Sequence, residues 1–118
     1  MDPAELVRQY LEAFAAKDHA TVRSLLDDRF SFIGPLERLD DPDALVASHA
    51  RLDPAFETIQ VRRLVADGPW VGAIYDMETT IPGVGTSRIS EWFEVREAKI
   101  VSIETFFDAR PFAAMFPG

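Results

Sequence analysis

The chain has 118 residues, 47% hydrophobic and 27% charged, enough for one hydrophobic core and too few for two. Its formal net charge of −8, with 12 lysines and arginines scattered along the sequence, excludes a basic face for nucleic acid or for an anionic membrane surface. Cysteine is absent, which excludes disulfides and thiolate chemistry, and no apolar run approaches the roughly 20 residues of a spanning helix. The start MDPAELVRQY is acidic and amphipathic, unlike a signal peptide, so the expected location is cytoplasmic.

In chain order, Asp2, Pro3 and Glu5 mark a helix start: an acceptor for the first amides, a proline where no amide is needed, and an acid in the first turn. Leu6, Tyr10 and Phe14 then recur at four-residue spacing, with Val7 and Leu11 beside them, as one apolar stripe that ends near Lys17. A second helix follows Asp18 and buries Val22, Leu25 and Leu26, after which 29–33 shifts to a short strand broken at Gly34 and Pro35. Asp41, Pro42 and Asp43 repeat the start signature for a third helix, carrying Leu45, Val46, His49 and Leu52 and stopped at Asp53 and Pro54.

Everything after Phe56 reads as strands, over 57–66, 70–80, 86–96 and 99–107, joined at Asp67-Gly68, at 82–85 and at a tight turn near Glu97-Ala98. Helices first and strands last imply a single α+β domain over 1–118, a curved antiparallel sheet closed by three N-terminal helices into a cone. In the last strand Val101, Ile103, Thr105 and Phe107 form the inner row. In the strand from Trp70 the rows are Val71, Ala73, Tyr75, Met77 and Trp70, Ile74, Asp76, Glu78; periodicity alone puts Asp76 outside. If Asp76 points inward, the outer row is too apolar for solvent and the back of the sheet should pack against a second copy as a homodimer.

One carboxylate is out of place. Ile89, Glu91, Phe93 and Val95 share a face, so Glu91 sits among side chains that avoid water, where an ionised acid costs several kcal/mol unless paired, hydrogen-bonded or protonated. Either Glu91 projects into a pocket, protonated near neutrality and able to donate to a ligand carbonyl, or it occupies a rim or pairs with an arginine such as Arg63. Tyr10 has a buried ring whose hydroxyl needs a partner, which is a pocket ligand, a backbone carbonyl or Glu91 itself. His49 is a base or polar anchor at the cavity mouth, or a packing histidine; His19 reads as surface. The histidines are too far apart for a metal site, and no phosphate loop or dinucleotide fingerprint is present, so neither metal nor cofactor is expected.

With these elements in order, the chain resembles the nuclear transport factor 2-like superfamily. The segment LVRQYLEAFAAKDHATVRSLLDDRF is similar to the opening helices of its SnoaL-like and ketosteroid isomerase branches, and KIVSIETFFDARPFAAMF to their closing strand and tail. The ketosteroid isomerase resemblance implies an oxyanion hole from Tyr10 and Glu91, with Gly34 standing where those enzymes carry their general base. Limonene epoxide hydrolases are similar around FFDARPF, yet Ile74 and Thr105 fall where their arginine and second aspartate are needed. Both comparisons imply that the Ile74, Asp76, Glu78 row faces the cavity.

The expected function is therefore binding of an apolar small molecule bearing a carbonyl or hydroxyl, with acid-base chemistry of the isomerase, cyclase or dehydratase kind. Glu91 is the expected proton donor, Asp76 the base, Tyr10 and His49 the orienting partners, and Phe14, Phe32, Ile74, Phe93, Thr105 and Phe107 the walls. The alternative is a non-catalytic binding or dimerisation module on the same scaffold.

Overall fold

The computed structural model describes residues 2–115, and side chains only up to 113; Phe116, the end of the tail that carries the family resemblance, lies outside the described residues. The elements are α1 (Pro3–Ala15), α2 (His19–Leu25), β1 (Leu26–Ile33), β2 (Arg38–Leu39), α3 (Pro42–Leu52), β3 (Phe56–Asp67), β4 (Trp70–Thr79), β5 (Thr86–Arg96) and β6 (Lys99–Phe106). A short 3-10 turn, Arg110–Met115, follows the last strand.

The start signals act differently at the three helices. Asp18 and Asp41 each accept a bond from the amide three residues on, Thr21 and Ala44, as an N-cap should. Asp2 makes no side-chain cap, so α1 relies on Pro3 and on burying Leu6, Val7, Tyr10, Leu11 and Phe14. The first helix is held by its stripe.

The six strands form one sheet in the order β2-β1-β6-β5-β4-β3. The run from β3 to β6 is antiparallel, as the tight turns require, while β1 joins β6 in parallel because β2, α3 and three strands separate them in sequence. The sheet is therefore mixed. Register shifts interrupt β3 near residues 57 and 62, β1 between Leu26 and Ser31, and the β5–β6 pair after Glu94; such bulges bend strands and raise the local twist. A sheet bent this way has a concave side, and the helices fill it.

Burial follows the pleat. Val71, Ala73, Tyr75 and Met77 on β4 and Ile89, Glu91, Phe93 and Val95 on β5 face the helices, while Trp70, Ile74 and Trp92 face out. On β6 the bulge changes the expected row: Ile100, not Val101, is fully buried and pairs with Val95, and inward alternation resumes at Ile103 and Thr105. Among the described residues no helix is long and apolar enough to cross a membrane.

Candidate functional site

Between the concave sheet and the helices lies a cavity of about 350 Å³. Tyr10 and Phe14 enter it from α1, His49 and Leu52 from α3, Tyr75 and Met77 from β4, and Ile89 and Glu91 from β5. Phe32 on β1 and Phe107 and Phe112 beyond β6 form the end walls. The lining is mostly aromatic and aliphatic with a few converging polar groups, the usual make-up of a small-molecule site.

Glu91 is 5% exposed and, among the described residues, has no cation within ion-pair distance. The Thr105 hydroxyl donates to its Oε2 at 2.7 Å and the Tyr75 hydroxyl to its Oε1 at 3.2 Å. Cross-strand register explains both bonds: Thr105 lies directly opposite Glu91 on β6, and Tyr75 is diagonal to it on β4. Desolvation pushes the Glu91 carboxyl up to about 7, against the lowering effect of those two bonds. Burial, and then the nearby Glu91, hold the Tyr10 and Tyr75 phenols neutral well above their ordinary value.

Across the cavity, the Tyr10 hydroxyl lies 3.5 Å from His49 Nε2, and the His49 ring packs on Phe14 at 4.5 Å between centroids. Desolvation, reinforced by His19, lowers His49 to about 4, so the imidazole is neutral at pH 7. Among the described residues His49 Nδ1 is buried without a hydrogen-bond partner. The third helix is anchored beside it: His19 Nε2 lies 2.6 Å from Asp53 Oδ2, and Lys17 donates to the Asp53 carbonyl at 2.9 Å. His19 is thus a tether between helices as well as a surface residue.

The structure brings together Tyr10, Phe14, Phe32, His49, Glu91 and Phe107 around this cavity. Phe93 is fully buried behind the wall, with Tyr10 edge-on at 5.5 Å, and Thr105 is bonded to Glu91 instead of lining the space. Asp76 and Ile74 are corrections. Both project from the outer face, because Tyr75 between them points inward and a strand alternates. Asp76 is held there by Arg62, whose Nη2 lies 2.8 Å from Oδ2, and by Arg88. Those guanidinium bonds lower its carboxyl, so it stays ionised and out of reach of any molecule in the cavity. The periodicity of β4 gave the right phase; the resemblance, which turned that row inward, did not.

Sequence reasoning missed Tyr75 as a site residue although it shares the inner row with Met77, opposite Ile89. A strand tyrosine flanking an inward acid was the available signal. Leu36, Glu37, Ser48 and Arg51 also line the cavity and carried none, since two come from the loop before β2 and two are a half-buried serine and an exposed arginine of α3. Gly34, in the position of the isomerase base, packs so closely that a Cβ there would meet the Phe32 ring at 3.0 Å. A smaller open groove of about 280 Å³ lies between α1 and β3, with Arg8 and Glu12 as its charged groups. Among the described residues no group of three or more histidines and acids is placed to hold a metal ion.

A family model described as the SnoaL-like domain matches residues 7–103. Among solved structures, a protein of unknown function with a cystatin-like fold from Xanthomonas campestris superposes with a TM-score of 0.86 at 17% identity, covering 98% of each chain. An LEH-like epoxide hydrolase of M. tuberculosis gives 0.80 at 19% identity over 98% of this chain and 96% of its own. A protein with a ketosteroid isomerase-like fold from Catenulispora acidiphila, solved with trimethylamine, gives 0.80 at 13% identity over 95% and 92%. At these identities the likeness is one of fold. No curated protein sequence matches the chain.

Proposed function

The chain belongs to the SnoaL-like domain family, and from that premise we propose that it binds an apolar small molecule whose carbonyl or hydroxyl oxygen seats against Glu91, and moves a proton on it. The observation that carries this reading is the state of Glu91: a carboxyl pushed up to about 7, enclosed by apolar walls, with no cation beside it among the described residues. A protonated carboxylic acid donates to a carbonyl and stabilises the oxyanion that develops there, as preorganised donors do at a cost-free moment of reaction. Tyr10, neutral and entering the same cavity from α1, is the second donor.

With Asp76 on the other face and Gly34 without a side chain, the base in this reading is His49, neutral at pH 7 and across the cavity from Glu91. A positioned acid and base of this kind supply roughly two to four powers of ten, which suits isomerisation, cyclisation or dehydration of an activated carbonyl compound. Epoxide hydrolysis in the manner of limonene epoxide hydrolases is disfavoured, because Ile74 and Thr105 replace the required groups and Ile74 points outward.

The test is native mass spectrometry of the purified chain for a co-purified ligand, repeated with Glu91→Gln. A retained apolar oxygen-bearing molecule whose occupancy falls in the variant is the expected result. Occupancy unchanged by the variant would leave only the non-catalytic binding reading.

The outer face supports a second element of the proposal. Val65, Trp70, Trp92 and Phe106 are each about half exposed there, bordered by Arg62, Arg63 and Arg88 and by Asp76, Glu94 and Glu104. We propose that this face packs on a second copy, since a two-fold partner sets the arginines of one sheet against the acids of the other around an apolar centre. Sedimentation at twice the chain mass, reduced to the monomer by Trp92→Lys, is expected; a monomer at high concentration overturns it.

A further inference from the structure

Three charged side chains stand at or in the cavity, and they differ in how they are satisfied. Glu91, deep on β5, is bonded by Thr105 and Tyr75. Glu37, at the opening, accepts the Ser48 hydroxyl at 2.6 Å. Arg51, in the last turn of α3, is exposed, lines the same cavity and makes no ion pair among the described residues.

That is unusual in this chain. Among the described residues every arginine except Arg38, Arg51 and Arg63 stands within ion-pair distance of a carboxylate. Of the three, only Arg51 lines the cavity. In a protein of formal net charge −8 the long-range field works against anions, so an uncommitted guanidinium at the rim of an apolar chamber is a local exception to the prevailing sign.

From this geometry we infer that the molecule held in the cavity is an apolar anion: its oxygen end meets Glu91, and a carboxylate or comparable anionic group at its other end is received by Arg51. The inference rests on the proposed small-molecule function and narrows its substrate class. A planar guanidinium presents paired donors that match a carboxylate or sulfonate, whereas Lys would offer a point charge only. The buried end does not suit the anion, because among the described residues no cation stands there to offset the desolvation of a charged group. Only an amphiphile placed with its charge outward satisfies both ends. Glu37 modulates this as a like charge on the same rim, partly committed to Ser48. Asp53, two residues from Arg51, is already engaged by His19. The competing account is that Arg51 does no more than complement the carbonyl end of α3.

The test uses two fluorescent probes that share one skeleton, 8-anilinonaphthalene-1-sulfonate and its uncharged parent N-phenyl-1-naphthylamine, titrated into the full chain at low and high salt. Mutual displacement shows that they share the cavity. Expected results are that the sulfonate binds about tenfold more tightly than the parent, that Arg51→Gln removes that preference without moving the parent, and that Arg51→Lys restores part of it. Glu37→Gln should tighten the sulfonate two- to threefold, and raised salt should weaken the sulfonate alone. Unchanged probe affinities in Arg51→Gln, with a lower unfolding midpoint, would establish the helix-end account and overturn the inference. Binding of the parent without preference for the sulfonate overturns it while leaving the cavity reading intact; binding of neither probe overturns both.

Discussion

Two acids on neighbouring strands of one sheet, Glu91 and Asp76, are almost equally covered, at 5% and 7% exposure, and their charges go in opposite directions. Glu91 faces the helices, where desolvation outweighs two hydroxyl bonds and raises its carboxyl to about 7. Asp76 faces outward, where Arg88 and Arg62 hold it ionised and lower its carboxyl. The cover over Asp76 is a pair of arginine side chains lying in solvent, 51% and 65% exposed themselves, and not the core. What lies over an acid decides its charge; how much lies over it does not. The concave face therefore holds a group able to give a proton near neutrality, and the convex face holds a fixed charge.

The largest expected effect breaks this comparison on its inner side. Glu91 has a folded value near 7 against 4.5 for the free group, so the stability it contributes is complete below about pH 4.5 and is lost as pH rises to about 7. His49 has a folded value near 4 against 6.5, so its contribution is complete above about pH 6.5 and is lost as pH falls towards 4. The two slopes oppose each other in one window, each worth about 3 kcal/mol by the conversion of pKa difference to free energy. Urea unfolding of the parent chain between pH 4.5 and 6.5 should therefore be nearly level. Glu91→Gln should expose the His49 limb, with stability rising with pH, and His49→Gln the Glu91 limb, with stability falling. A Glu91→Gln profile that overlays the parent would show that the acid is ionised throughout and paired in solution.

Much of this was legible beforehand, and the reasons are local. Helix starts at Asp18 and Asp41 follow from short-range capping, and the phase of β4 and β5 follows from alternation, so Glu91 could be turned inward from its neighbours alone. The parallel join of β1 to β6 could not, because nothing within either strand encodes a partner some seventy residues away. Val101 was misplaced for a related reason: one extra residue in a bulge is invisible to a period of two. Asp76 shows the converse error, where likeness to relatives overrode a pattern in the chain itself. Arg88 directly opposite it was the sequence feature that would have kept it outside, once register was known. His49 was legible only as a choice between a base or polar anchor and a packing histidine, since helix periodicity does not report the depth of burial that lowers it to about 4.

A smaller effect sharpens the outer side. Gly72 sits opposite Trp92, and a Cβ there would meet the indole at 2.6 Å, so the glycine is the seat on which that ring lies. Gly72→Ala should displace Trp92, shift tryptophan emission and destabilise by about 1–3 kcal/mol through overpacking. It should also weaken self-association if Trp92 anchors the face proposed for a second copy, while probe affinity in the cavity holds. A change in probe affinity as large as that expected for Arg51→Gln would mean that the two faces are not separable.

The smallest effect belongs to Asp76. Its lowered carboxyl adds stability above about pH 4 that is lost as pH falls through the folded value, the reverse of Glu91, so Asp76→Asn should lower the unfolding midpoint slightly at pH 7, by an amount that shrinks as pH falls below about 4. Because the clamp lies in solvent, that small difference should vanish in about 1 M salt, where the screening length is about 3 Å. The Glu91 limb should persist there, since its shift comes from desolvation and not from a neighbouring charge. Salt thus separates the two acids even where exposure cannot, and a salt-sensitive Glu91 limb would place a cation beside Glu91 in solution and remove the basis for reading it as the proton donor.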